Sequence, residues 1–175
     1  MAVYTHVDER TLNQFLSGYD VGTATTFKGI AEGVENSNYF LETTVGRYIL
    51  TVYEKRANPE DLPYFLDVMD HLADAGLPSP RPITDKRGTA LQTLSGKPAC
   101  MISFLSGVSV DETDPDHCAA LGTTLAGMHN ALAAFDQTRP NDLSISGWQQ
   151  LADQTLEGAN SVQSGLTSII EDEIA

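Results

Sequence analysis

Between residues 27 and 56, three runs rich in β-branched and aromatic residues are separated by two short polar connections. Connections this short return the chain beside itself, so the segment reads as three consecutive antiparallel strands. The expected strands cover residues 25–31, 38–44 and 47–55. The third, with Tyr48, Ile49, Leu50, Val52 and Tyr53, has the apolar density of a buried strand. The first connection, residues 32–38, holds one glycine, two asparagines, one serine and two glutamates. Small side chains and free backbone N–H groups suit such a loop to covering a phosphorylated ligand, and equally to a plain hairpin.

The flanking segments read as follows. Val7, Leu12, Phe15 and Leu16 mark a short amphipathic helix over residues 5–19. Asn58-Pro59-Glu60-Asp61 is a helix start, with proline in the first turn and acids near the positive end of the dipole. That helix is expected to run over residues 59–75 and stop before Gly76. Residues 77–82, Leu-Pro-Ser-Pro-Arg-Pro, form a stiff extended connector. Residues 83–85 and 89–94 flank a hairpin turn at Lys86-Arg87-Gly88. Residues 97–105 form a fifth strand, broken by Ser106-Gly107. Beyond Asp114 the pattern is helical. Cys118, Leu121, Leu125, Met128, Leu132 and Phe135 share one face over residues 115–135, and more helix follows over residues 148–175. Mixed strand and helix in residues 1–107, then helices in residues 108–175, imply an α+β chain with a lobe boundary near Gly107.

Charge removes several function classes. Ten Lys+Arg against 24 Asp+Glu give a formal charge of −14. That surface repels phosphate backbones and anionic lipid, so neither nucleic acid nor membrane is an expected partner. No run of eighteen apolar residues is present, and with His6, Asp8, Glu9 and Arg10 near the start no signal peptide is expected. The expected compartment is the cytoplasm. Cys100 and Cys118 lack metal-type spacing, and both are expected to be buried thiols. His6, His71, His117 and His129 have neither metal nor triad spacing. Asp111, Glu112, Asp114 and Asp116 read as a loop leading into a helix N-terminus. No G-x-x-x-x-G-K-[ST] and no G-x-G-x-x-G occurs, so the two best-known phosphate loops are absent.

Several segments together resemble one family. They are Tyr19-Asp20-Val21-Gly22, residues 27–41, Tyr48-Ile49-Leu50-Thr51, Tyr53-Glu54-Lys55-Arg56, Asp61-Leu62-Pro63 and His117-Cys118. The chain resembles the bacterial homoserine kinases built on the aminoglycoside phosphotransferase and choline kinase fold, with the loop segment the most specific part. The resemblance implies a protein-kinase-like N-terminal lobe: a five-stranded antiparallel sheet plus one helix, followed by the first helices of an incomplete helical lobe. It implies transfer of the ATP γ-phosphate, with Mg²⁺, to the hydroxyl of L-homoserine in threonine biosynthesis. Gly33, Val34, Glu35, Asn36, Ser37 and Asn38 would then cover the phosphates. Ser103, Phe104 and Leu105, on the strand entering the hinge, would face the adenine.

Related kinases carry a basic residue in mid-strand three, where this chain has Thr51. Lys55, roughly 13 Å further along at ~3.3 Å per residue, is the candidate phosphate partner, with Lys28 as a second. The family's catalytic aspartate loop has no counterpart here, since no histidine is followed by Gly-Asp or Arg-Asp. No catalytic or metal-binding residue is assigned, and the chain alone is expected to be inactive. The alternatives are a choline- or aminoglycoside-type kinase and a non-catalytic nucleotide-binding or interaction module.

Overall fold

Burial alternates with period two along residues 37–43 and 47–52. A computed structural model describes residues 3–55, 58–142 and 144–174. Strands β1 (Ala24–Gly29), β2 (Ser37–Thr43), β3 (Arg47–Val52), β4 (Leu91–Leu94) and β5 (Lys97–Ser103) form one antiparallel sheet in the order β1-β2-β3-β5-β4. In β2, Ser37, Tyr39, Leu41 and Thr43 are buried while the residues between them are only partly so. In β3 the buried set is Tyr48, Leu50 and Val52. Register brings these sets together: Leu41 faces Tyr48, and Leu50 faces Met101 of β5. Helix α1 (Glu9–Leu16) adds Leu12 and Leu16 to this cluster, with Val7, Tyr19 and Val21 on either side.

Helix α1 is shorter than the expected 5–19. Asp8 caps it by accepting from the Thr11 N–H at 2.7 Å, and the residues before Asp8 form an extended arm with contacts of their own. Strand β3 also ends early, at Val52. Lys55 therefore falls in an exposed turn, and strand alternation does not carry it to the Thr51 face. The turn between β2 and β3 is closed by Thr43, whose hydroxyl accepts from the N–H groups of Val45 and Gly46, both at 3.1 Å.

The expected hairpin at Lys86-Arg87-Gly88 is corrected. The two-residue hairpin joins β4 to β5 at Ser95 and Gly96, with φ of 52° and 76°. Both residues lie in the left-handed region that a tight, twist-compatible turn requires. Residues 83–85 form no strand, and only a single bridge, Pro82 to Ile102, touches the sheet there. The Asp85 carboxylate, accepting from the N–H groups of Arg87 and Thr89 and from Arg87 Nε, each at 2.9 Å, organises the turn instead. A side chain closing its own loop competes well with strand pairing at such a short segment.

Helix α2 (Leu62–Asp74) follows a single 3₁₀ turn (Pro59–Asp61) that Asn58 caps. Its buried leucines, Leu62, Leu66 and Leu72, lie outside the α1 cluster. Arg81 ties the proline-rich connector to this helix through Asp70 at 2.6 Å and Asp74 at 2.8 Å. Helix α3 (Pro115–Leu132) starts with a capping box between Asp114 and His117, as acids at a helix start suggest. It meets α2 near its end: His71 Nε2 pairs with the Ala131 carbonyl at 2.9 Å, and Phe135 contacts the rings of Tyr64 and His71.

The apolar face expected on α3 is present in the sequence but not buried in the structure. Leu121 is 61% exposed, and Cys118 is exposed rather than a buried thiol. Among the described residues of the first unit, 3–137, nothing covers that half of the helix. Cys100, in contrast, is buried as expected; desolvation raises its thiol pKa.

The chain divides into two units, Met1–Gln137 and Thr138–Ala175. The second is a pair of packed helices, α4 (Ile145–Val162) and α5 (Leu166–Ile174), with Ala152 and Ala159 of α4 buried. Gly165, at φ 85°, turns between them. Asn160 Oδ1 holds that turn by accepting from the N–H groups of Gly165 and Thr167. The last residue of the expected helix, Ala175, lies outside the described residues. No helix among the described residues is long and apolar enough to cross a membrane.

Candidate nucleotide site

The loop between β1 and β2 spans residues 30–36 and is pinned at its base by the Ile30 N–H donating to the Asn38 carbonyl at 2.8 Å. Gly33 sits at φ 101° near the middle. A Cβ there would meet nothing closer than Asn38 Nδ2 at 3.7 Å, so the position requires glycine for its backbone angle and not for lack of space. Val34 projects outward and is 72% exposed.

Asn36 uses its Oδ1 to accept from the Glu54 N–H at 3.3 Å. Asn38 accepts from the Thr51 hydroxyl at 2.9 Å, so the residue standing where a basic group was expected is hydrogen-bonded within the sheet. Glu35 lies exposed on the loop. Ser37 is fully buried. Its hydroxyl accepts from the N–H groups of Tyr4 and Thr5 and donates to Glu54, which makes it an anchor of the loop and not a surface donor. Lys55 and Lys28 are both exposed.

At the other end of the strands, the Ser103 N–H donates to the Arg81 carbonyl at 2.8 Å and the Phe104 N–H to the Arg47 carbonyl at 3.1 Å. Those two donors are thus already engaged. Leu105, beyond the sheet, is half exposed. The Phe104 ring meets Phe40 edge-on at 5.4 Å, with the Arg47 guanidinium 5.0 Å above it.

Alternation puts Asn38 and Phe40 of β2, Ile49 and Thr51 of β3, and Cys100 and Ile102 of β5 on the sheet face turned away from the α1 cluster. Loop and hinge strand lie at opposite ends of this face. Thr51 is level with Cys100, and Ser103 lies three residues on, about 10 Å at the usual strand rise. The face is half-buried, with Cys100 fully covered. A pocket of about 450 Å³ on the α1 side is lined by Phe15, Tyr19, Asp85, Arg87, Gln92 and Leu94. Among the described residues no group of three His, Cys, Asp or Glu side chains could hold a metal ion.

Sequence reasoning missed a polar cluster at the base of the loop. Glu54 accepts from Thr5 Oγ1 at 2.6 Å and Ser37 Oγ at 2.7 Å and is paired with Lys97, whose ammonium also donates to Thr5 Oγ1 at 2.7 Å. Burial alone would raise the Glu54 carboxyl pKa, but the hydrogen bonds from Lys97, Thr5 and Ser37 and the Lys97 charge outweigh it, and the net direction is down. Only the quoted Tyr-Glu-Lys-Arg run hinted at Glu54. Nothing local marks Lys97 as its partner.

A pH dependence follows. The depressed carboxyl contributes stability that is complete above the ordinary glutamate value of 4.5 and is lost as pH falls through the lower folded value. Glu54→Gln is expected to cost about 2 kcal/mol at neutral pH, because Lys97 and two hydroxyls lose a charged acceptor. The difference between variant and wild type should shrink below about pH 4. Urea midpoints measured from pH 3 to 7 check this; a difference independent of pH would show that Glu54 is not the group involved.

An antiparallel five-stranded sheet, with one helix between its third and fourth strands and a glycine-bearing loop between its first two, is the α+β architecture of protein-kinase-like phosphotransferases. The chain belongs to the phosphotransferase enzyme family, matching it over residues 26–172. Among curated relatives, the homoserine kinases of Xanthobacter autotrophicus and Sinorhizobium fredii are 50% and 51% identical over 175 residues, all of this chain and 54% of each relative. The chain thus spans about half the length of these relatives. Among solved structures, a spectinomycin phosphotransferase in complex with ADP and spectinomycin superposes with a TM-score of 0.60 at 16% identity, over 86% of this chain and 47% of that one. A microcompartment-associated aminopropanol kinase gives 0.58 at 20% identity, over 88% and 55%. These structures share the α+β, protein-kinase-like fold.

Proposed function

We propose that this chain is the nucleotide-binding part of a kinase that phosphorylates the hydroxyl of L-homoserine with ATP, in the cytoplasm, as a step of threonine biosynthesis. The carrying observation is the loop of residues 30–36, with Gly33 in the left-handed region and both ends pinned, standing over one end of a half-buried sheet face. Backbone N–H groups of such a loop suit phosphate oxygens, as the charge on a nucleotide needs donors more than it needs a closed cavity. The adenine would lie toward Ser103, Phe104 and Leu105. The Ser103 and Phe104 N–H groups are engaged, so the hinge recognises the base through Leu105 and through carbonyl groups. Lys55, exposed and close in sequence to the Glu54 anchor, can swing toward the phosphates.

ATP brings Mg²⁺ with it, and no residue of this chain is assigned as its ligand. Residues 1–107 form the lobe that holds the nucleotide, and residues 108–175 begin the helical lobe. Whole-chain identity near 50% to homoserine kinases supports L-homoserine as the acceptor over choline or an aminoglycoside.

Two measurements test this reading. The purified chain is expected to bind a fluorescent ADP analogue saturably, with displacement by ATP, and to transfer no phosphate alone. Residues 1–175 joined to the remaining half of the Xanthobacter enzyme should phosphorylate L-homoserine at least tenfold faster than choline or kanamycin. Failure to bind the analogue would remove the nucleotide site. Binding without turnover in the chimera would favour the non-catalytic module.

A further inference from the structure

The residues ahead of α1 do more than lead into it. The Val3 side chain covers Gly29, the last residue of β1: a Cβ on Gly29 would lie 2.7 Å from Val3 Cγ2. The N–H groups of Tyr4 and Thr5 both donate to Ser37 Oγ, at 2.8 and 2.9 Å, on the first residue of β2. The Thr5 carbonyl accepts from the Tyr39 hydroxyl, and the Thr5 hydroxyl joins the Glu54–Lys97 pair. The arm therefore crosses both strands where the loop leaves and re-enters the sheet. It also reaches the loop itself, because the Tyr4 hydroxyl donates to the Val34 carbonyl at 3.1 Å, next to Gly33.

A tail that served only to cover the core would need Val3 and Val7 and no more. Here a fully buried serine directly after the loop spends its acceptor capacity on two arm N–H groups and its proton on Glu54, so its bonding is complete. We infer that the N-terminal arm is a strap that holds the loop of residues 30–36 in its ligand-ready position, with Tyr4 as a positioning residue. A loop ordered in advance loses less freedom when it closes on a ligand, so the strap raises affinity without touching the ligand. The consequence for nucleotide binding rests on the reading proposed above; the strap itself does not.

The test uses Tyr4→Phe, which removes one hydroxyl from a residue that is 59% exposed and should leave the fold unchanged. Amide hydrogen exchange is followed in the free chain, and the affinity for the fluorescent ADP analogue is measured alongside. The expected result is exchange at residues 31–36 faster by about fivefold, with β2, β3 and the urea midpoint unchanged. Thr5→Val, which breaks the arm's contact with the ion pair, should act in the same direction. Affinity for the analogue should fall about threefold in Tyr4→Phe. Loop exchange identical to wild type in both variants overturns the strap. Faster exchange with unaltered affinity keeps the strap and removes the loop from the nucleotide site. Absence of binding in the wild type refutes the proposed function, while the exchange data still decide the strap.

Discussion

Gly33→Val is expected to weaken nucleotide binding by tenfold or more while lowering global stability by no more than the strain stored in the loop. At φ 101° a β-branched residue is strained, a cost on the order of 1–3 kcal/mol. The direction a Cβ would take is open, with the nearest atom at 3.7 Å, so the cost comes from the backbone angle and not from crowding at Cβ. The backbone relieves the strain by rotating, which turns the neighbouring N–H groups away from their present directions. Most of that cost is felt by the loop, because residues 31–35 carry little of the core. Titration with the ADP analogue, alongside a urea melt, separates the two effects. Gly33→Ala is milder and should fall between wild type and valine. Undiminished affinity in the valine variant would take the loop out of the site.

Leu50→Ala is the substitution expected to cost most stability, about 3 kcal/mol. Leu50 lies on β3, bonded to β2 on one side and β5 on the other, and is 0% exposed. It faces Met101 across β5 and belongs to the cluster that α1 closes. Strand neighbours on both sides hold the backbone in place, so the vacated volume cannot collapse easily and the cavity cost adds to the lost burial. The measurement is the urea midpoint at constant m-value. A shift smaller than that of Leu72→Ala, on the less buried α2, would mean that the sheet core is not the cooperative centre of the first unit.

The three leading strands were legible from their density of β-branched and aromatic residues, whereas the inward facing of Tyr48, Leu50 and Val52 against Ile49 and Thr51 is seen only in the structure. The loop was legible from its small and polar residues, and the positive φ of Gly33 accords with them. Helix starts were equally local, since Asn58, Asp114 and their following prolines act within one turn. The family, too, was readable from contiguous runs of residues.

What only the tertiary structure decided was pairing at a distance. The sequence pointed to Lys86-Arg87-Gly88 as the hairpin turn, and the structure places the hairpin at Ser95-Gly96. Asp85 satisfied the backbone of the first within its own loop, and the ladder went to the second. Ser37 reads as a loop residue until Tyr4 and Thr5, more than thirty positions earlier, arrive to bury it. Glu54 and Lys97 are 43 residues apart, and nothing in either neighbourhood names the other. Cys118 has a good helical face around it, yet a face is buried only when another element covers it. Local propensity acts over a few bonds and can be read along the chain. Hydrogen bonds and burial depend on which distant groups the fold brings together, and here those long-range groups anchor the loop.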